Sequence, residues 1–291
     1  MNGILLIDKP AGWTSSDVVA KLRGVLHEKR IGHAGTLDPM ATGLLVLFVG
    51  RATRACSFAE AEDKHYRAAL RLGLTTDTQD ITGTPLRECD ASTVTEEALR
   101  ETLRGFEGEI EQIPPMYSAI KLNGKKLYEI ARRGGEVERK PRTIAVRRLE
   151  LTGRSGEDWL LDIECSKGTY VRTLCHDVGE RLGCGGCMSA LRRVRAGAFS
   201  VEDAHTVPAV IAAAAEGRAE ELLLPLDSLF SAYPAQSVGA EEERRIRCGN
   251  PCDAPGTQDG VYRVYGADGA FLALSRAEAG ELTVIKSFFE V

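Results

Sequence analysis

The chain has 291 residues, 43% hydrophobic and 27% charged, with a net charge of −5, the make-up of a soluble globular protein of one large and one small domain. Its longest apolar run, residues 209–215, is far too short to span a bilayer, and residues 1–10 carry Asp8 and Lys9 after only a brief apolar run, unlike a signal peptide. A cytoplasmic location follows as the expectation, with the eight cysteines as reduced thiols. The pairs Cys184/Cys187 and Cys248/Cys252 have spacings that also permit a four-thiolate zinc site.

In chain order, residues 4–7 read as a buried strand, followed by the turn Asp8-Lys-Pro-Ala-Gly12. Thr14, Ser15 and Ser16 are candidate N-caps of a helix with Val18, Val19, Leu22, Val25 and Leu26 on one face. Residues 32–42 form a glycine-punctuated loop running into a second buried strand, 44–49, bounded by Gly43 and Gly50. The loop holds one carboxylate, Asp38, and Pro39 after it removes a backbone donor and stiffens the turn. A carboxylate on a stiff loop above a buried strand suits catalysis, although Asp-Pro is also an ordinary turn former.

Residues 52–61 are expected as a short helix. Residues 63–73 alternate charged and apolar positions through Tyr66, Ala68, Leu70 and Leu72, the pattern of a half-buried strand, and lead into a polar loop at 75–83. Residues 95–106 read as an amphipathic helix capped by Thr95. Pro114-Pro115 breaks the chain before a strand, and 125–133 fits a short helix. Strands 143–151 and 159–164 are expected to pair around the turn Gly153-Arg-Ser-Gly156, and 206–215 to form a helix ahead of a packed segment at 222–229. Short, evenly spaced strands at 261–265, 271–275 and 282–286 suggest a small barrel.

Charge is distributed unevenly. Residues 121–154 hold eleven Lys or Arg against four Glu, whereas 202–243 hold nine acidic residues against Arg218 alone. The first segment is basic enough to bind a polyanion, or to be a solvated charged hairpin.

Gly32-His-Ala-Gly-Thr-Leu-Asp-Pro-Met-Ala-Thr-Gly43 closely resembles G-H-x-G-x-L-D-P-x-A-x-G, the active-site motif of the TruB family of RNA pseudouridine synthases. The likeness continues in order. Lys64-His-Tyr66 and Leu72 to Gly83 resemble K-x-Y…L-G-x-x-T-D-T-x-D-x-x-G. Gln112-Ile-Pro-Pro-Met-Tyr-Ser-Ala-Ile-Lys121 and Gly124-Lys-Lys-Leu-Tyr-Glu-Ile-Ala-Arg132 resemble Q-x-P-P-x-Y-S-A-x-K…G-x-x-L-Y-x-x-A-R. Ser166-Lys-Gly-Thr-Tyr-Val-Arg-Thr173 matches S-K-G-T-Y-x-R-T, and Leu191-Arg-Arg193 resembles the segment that closes the family's pocket.

The resemblance implies an α+β fold. A catalytic domain (1–232) is built on a mixed β-sheet with flanking helices, with a basic thumb-like insertion at about 113–142, and a small C-terminal β-barrel (236–291) resembles the RNA-binding PUA domain. It implies Asp38 as the catalytic residue, Tyr66 against the target base and Arg172 as partner of Asp38. It further implies His33 in the stack vacated by a flipped base, Tyr170 and Leu191 at the pocket, and Lys64, Lys121, Lys125 and Lys126 on RNA. No cofactor and no metal are implied. The expected partner is tRNA, met through its T arm and also the acceptor stem, by a monomer that converts the T-loop uridine conventionally numbered 55. Two alternatives stay open: an RNA-guided, dyskerin-type synthase, which the basic insertion disfavours, and a non-catalytic tRNA-binding or folding protein.

Overall fold

The computed structural model describes residues 1–122 and 124–289, so Asn123 of the basic segment and the last two residues, Glu290 and Val291, lie outside the described residues. A mixed sheet organises the larger part of the chain. Its path runs His205–Thr206, Gly3–Lys9, Thr42–Val49, Gly186–Ala196, Lys64–Leu72, Asp158–Cys165, Arg142–Ser155, Gly108–Gln112. The strands Gly3–Lys9 and Thr42–Val49 are antiparallel and covered on both faces. Leu5, Ile7, Leu45, Leu47 and Val49 face one apolar cluster, while Ile4, Leu6, Leu44, Val46 and Phe48 face another. Burial on both sides is why these strands read as unbroken apolar runs rather than as alternation.

The helices Ser15–Val25, Glu96–Arg104, Val171–Arg181 and Val207–Ala215 pack their apolar residues into the first cluster. Thr14 caps the first of them in a reciprocal capping box with Asp17, and Thr95 and Thr206 cap the second and fourth. The second cluster is closed by the 3₁₀ turn Gly50–Ala55, the helix Cys56–Ala61 and a group of aromatic rings. There Phe230 lies 5.4 Å from Phe58, 5.6 Å from Phe288 and 6.0 Å from Phe271, centroid to centroid. Phe271 and Phe288 belong to the C-terminal stretch, whose strands order as Ala235–Ser237, Gly260–Tyr265, Phe271–Glu278, Glu281–Ser287, Cys252–Asp253 in a curled half-barrel.

The sheet splits in one place. Thr42–Val49 and Gly186–Ala196 run parallel and meet only through Arg192↔Thr42 and Arg193↔Gly43. Gly43 makes that contact possible: its φ is +95°, and a Cβ there would lie 2.2 Å from the Arg193 carbonyl oxygen. Beyond this contact Thr42–Val49 pairs instead with Ile31–Ala34, from Ala34↔Val46 to Ile31↔Val49, and residues 35–41 form the loop that joins the two strands.

Some local expectations shift. The 142–165 hairpin turns at Gly156-Glu157, with Gly156 at φ +60°, while Gly153 lies inside the strand at a register shift. A bulge absorbed the glycine that had marked the turn. Lys125–Lys126 pairs back onto Lys121–Leu122, so the helix that follows is only Leu127–Ala131. The helix Ala240–Arg247 escaped notice because its one buried residue, Ile246, leaves no apolar period to read.

Candidate active site

The Asp38 loop is pinned from two directions. Ser15 Oγ donates to the Leu37 carbonyl at 3.1 Å and accepts from the Leu37 N–H at 2.9 Å, fixing the loop to the start of the first helix. Lys9, wholly buried at the end of the first strand, donates to the carbonyls of Trp13 (2.6 Å), Pro10 (2.9 Å) and Pro39 (3.3 Å). Burial lowers the Lys9 pKa to about 8, against the pull of the Asp38 charge. Lys9 drew no notice in the sequence because Asp8-Lys-Pro reads as a turn, although a lysine ending a buried strand is itself a signal.

Asp38 meets Arg172 side-on. Nε of Arg172 lies 3.0 Å from Oδ2, and Nη2 donates to Oδ1 at 3.4 Å. The guanidinium also donates to the carbonyls of Tyr117 (2.7 Å) and Thr78 (3.2 Å) and faces Asp80 at 3.6 Å. One planar fork therefore ties together the Asp38 loop, the 77–84 turn and the base of the basic insertion. Arg172 is held in turn. Gln112 grips both backbone groups of the preceding Tyr170, accepting from its N–H at 2.8 Å and donating to its carbonyl at 3.1 Å. Asp80 accepts from Thr82 Oγ1 (2.5 Å), the Thr82 N–H (3.0 Å) and Thr78 Oγ1 (3.0 Å). The second carboxylate and the Gln112 clamp lay within quoted motifs but gave no signal of their own.

Asp38 keeps 32% of its side chain accessible at the mouth of the split. Desolvation raises its pKa above the usual carboxylate value; Arg172 opposes that rise and Asp80 adds to it. The outcome is a poorly solvated carboxylate whose charged form is favoured chiefly by Arg172, with Lys9 adding to it. Such a group can serve as nucleophile or base.

Tyr66 is buried on the strand Lys64–Leu72, directly opposite Arg193 in the register. Burial raises the phenol's pKa, and the Arg193 charge acts against it. His33 sits on the strand Ile31–Ala34, its pKa lowered by desolvation and by Arg193. Leu191 is buried at the split. Beside it runs a groove of about 800 Å³ lined by Met40 and Thr42 on one side and Ile81, Thr82, Ala190 and Leu191 among others on the other. The phenol of Tyr170 lies beside the buried hydroxyl of Ser118, with Arg172 and Asp38 in its surroundings.

The predicted lysines part company. Lys64 is buried and points inward, donating to the carbonyls of Glu62 (2.5 Å) and Glu60 (2.7 Å), where burial lowers its pKa to about 8. It ends the helix Cys56–Ala61 rather than reaching into the groove. Lys121 and Lys125 are exposed on the short hairpin, while Lys126 lies 5.3 Å above the Tyr128 ring, as does Arg132.

All eight cysteines are free thiols, and among the described residues no cluster of three or more His, Cys, Asp or Glu could hold a metal ion. Likewise no helix among them is long and apolar enough to cross a membrane.

The profile of the TruB family pseudouridylate synthase N-terminal domain matches residues 23–171, and that of the tRNA pseudouridylate synthase B C-terminal domain matches residues 172–231. The tRNA pseudouridine synthase B of Aromatoleum aromaticum is 44% identical over 278 residues, 96% of this chain and 89% of that protein. The corresponding protein of Thiobacillus denitrificans is 43% identical over 284 residues, 97% of this chain and 94% of that protein. Among solved structures, the crystal structure of a Cbf5-Nop10-Gar1 complex contains a chain that superposes with a TM-score of 0.75 at 26% identity, covering 99% of this chain and 85% of that one. The fold is thus that of a pseudouridylate synthase, and the Asp38 loop lies where the sheet splits. The chain belongs to the TruB family.

Proposed function

We propose that the chain isomerises a uridine of tRNA to pseudouridine, at the T-loop position conventionally numbered 55. The observation that carries this reading is the side-on Asp38–Arg172 pair at the mouth of the split, with Tyr66 buried behind it. The reaction breaks the N-glycosidic bond, turns the base and rejoins the sugar at carbon 5. Those atoms are shielded inside a folded loop, so the nucleotide must leave the stack, at a cost of a few kcal/mol. In this reading His33 fills the vacated stack and Tyr66 packs on the base, an interaction of about 1–3 kcal/mol. Tyr170 and Leu191 bound the pocket.

Asp38 must be ionised whether it attacks the base, attacks the sugar or removes a sugar proton, and Arg172 favours that form. No step in this isomerisation calls for a redox group or a nucleotide. Lys121, Lys125 and Lys126 meet phosphates from the insertion, while Lys64 acts from behind by ending the helix Cys56–Ala61. The domain reading is a catalytic unit at 1–232 and an RNA-binding half-barrel at 236–291, working as a cytoplasmic monomer that meets the T arm and the acceptor stem. The unguided reading is preferred over the RNA-guided one because the relatives spanning nearly the whole chain are tRNA pseudouridine synthase B proteins.

The test is incubation of the purified chain with an unmodified tRNA transcript, followed by mapping of pseudouridine. We expect modification at one T-loop position by the wild type and none by Asp38→Asn, with tRNA affinity retained. Turnover by a verified Asn variant would remove Asp38 from the chemistry.

A further inference from the structure

We propose that Arg193 is a positioning residue that holds the Tyr66 phenol and the Asp38 loop in one fixed relation across the split in the sheet. The proposal rests on the reading of Asp38 and Tyr66 given above, and it assigns a role to a residue outside that pair. Arg193 heads the largest fully buried side chains, at 1% exposure. Among the described residues it has no carboxylate within 4.0 Å, whereas its neighbour Arg192 pairs with Asp8 at 2.8 Å.

Every partner of the buried guanidinium is neutral. Nε donates to the Leu44 carbonyl at 2.7 Å, on the strand across the split, and Nη2 donates to the Gly35 carbonyl at 3.0 Å, where the catalytic loop begins. Tyr66 lies directly opposite Arg193 in the antiparallel register, so the two side chains share a face of the sheet. The remaining edge of the guanidinium is crowded as well: a Cβ at Gly35 would lie 3.1 Å from Nη1. Gly35, at φ +74°, therefore lets the loop close onto the arginine.

A desolvated cation whose hydrogen bonds go only to carbonyls, with a phenol opposite it in the register, stabilises a fold poorly. An apolar side chain of similar length would fill the space without the desolvation penalty. Two further cations make the site still less favourable, since Lys9 and Lys64 both feel the Arg193 charge. What the arginine supplies, and an apolar residue cannot, is a rigid fork spanning two halves of a sheet whose strands touch at only two residue pairs. Attack by a carboxylate on a base or sugar needs near-contact geometry, and a 1 Å displacement costs on the order of 100-fold in rate.

The experiment uses the full chain with tyrosine labelled at the ring carbon that bears the hydroxyl. There are seven tyrosines, and the Tyr66 signal is assigned by its loss in Tyr66→Phe. In Arg193→Lys and Arg193→Met we expect the Tyr66 signal to move while the other tyrosine signals stay. Single-turnover pseudouridine formation should fall on the order of 100-fold, with tRNA affinity retained. Arg193→Lys keeps the charge and guards against a Met variant that fails to fold. An unmoved Tyr66 signal in either folded variant overturns the proposal, as does a wild-type rate, or a rate loss that matches lost tRNA binding. Wild type and Asp38→Asn on the same tRNA test the underlying reading separately. If the wild type forms no pseudouridine, that reading fails while the Tyr66 signal still decides the role of Arg193.

Discussion

At the scale of single residues, the Asp38–Arg172 pair makes a sharp demand on side-chain shape. Lysine keeps a positive charge but cannot offer two parallel donors to a carboxylate, nor at the same time reach Tyr117, Thr78 and Asp80. Arg172→Lys should therefore damage single-turnover rates nearly as much as Arg172→Ala; a lysine variant with wild-type rate and melting temperature would remove the orienting role. The pH profile gives a second reading of the same contact. Desolvation raises the Asp38 pKa and Arg172 holds it down, so the ionised form disappears as pH falls through that raised value. The acidic limb of the wild-type rate should thus lie above the ordinary aspartate value of about 3.9. In Arg172→Ala it should move higher still, because the larger of the two opposing charges has been removed and Lys9 alone remains against desolvation and Asp80. A limb that stayed fixed in that variant would mean that another group governs it.

At the scale of elements, the split between Thr42–Val49 and Gly186–Ala196 is what turns a sheet into a site. Gly43 is expected to be far less replaceable than Gly12, although both have positive φ. Nothing lies within 4 Å of a Cβ at Gly12, so Gly12→Ala should cost only backbone strain, about 1–3 kcal/mol. Gly43→Ala adds a clash with the Arg193 backbone and should force the strands apart, lowering both melting temperature and turnover well beyond the Gly12 variant. Equal melting temperatures for the two would show that the strands tolerate separation.

The same region shows what a sequence discloses and what it withholds. The loop at 35–41 and the doubly buried strand beyond it were legible, as were the capped helices, because each leaves a local mark; residues 32–34, read as part of that loop, instead pair as a strand with 46–48. The roles of Arg192 and Arg193 were not. Adjacent and alike in the sequence, they alternate across the pleat, one pairing with Asp8 and the other buried beneath the Asp38 loop. The direction of Lys64 was hidden for a related reason: its motif marks the position, but the direction of its amine is set by a helix end that only the fold brings near. Gly153 looked like a turn and lies within a bulged strand, since periodicity does not reveal a register shift.

At the scale of the whole molecule, the charge is divided between surfaces rather than balanced on each. Residues 236–291 hold nine acidic side chains against six basic ones, so the half-barrel is a poor candidate for gripping phosphates by charge alone. In the proposed reading that work falls to the insertion, where Lys121, Lys125, Arg132 and Arg133 are exposed. Lys126 and Arg132 also flank the Tyr128 ring, which holds two cations on a short helix. Replacing Lys125, Lys126, Arg132 and Arg133 with Ala should weaken tRNA binding and flatten its dependence on salt, because the log–log slope falls by about 0.7–0.9 for each phosphate that the protein no longer neutralises. The Asp38 site lies on other elements, so at saturating tRNA the single-turnover rate should fall much less than the affinity. Arg172 does touch the insertion through the Tyr117 carbonyl, but that carbonyl precedes the substituted residues and survives the change. Titrations at several salt concentrations separate the outcomes: a parallel loss of affinity and slope marks a phosphate-binding surface, whereas unchanged values would make the segment a solvated charged face.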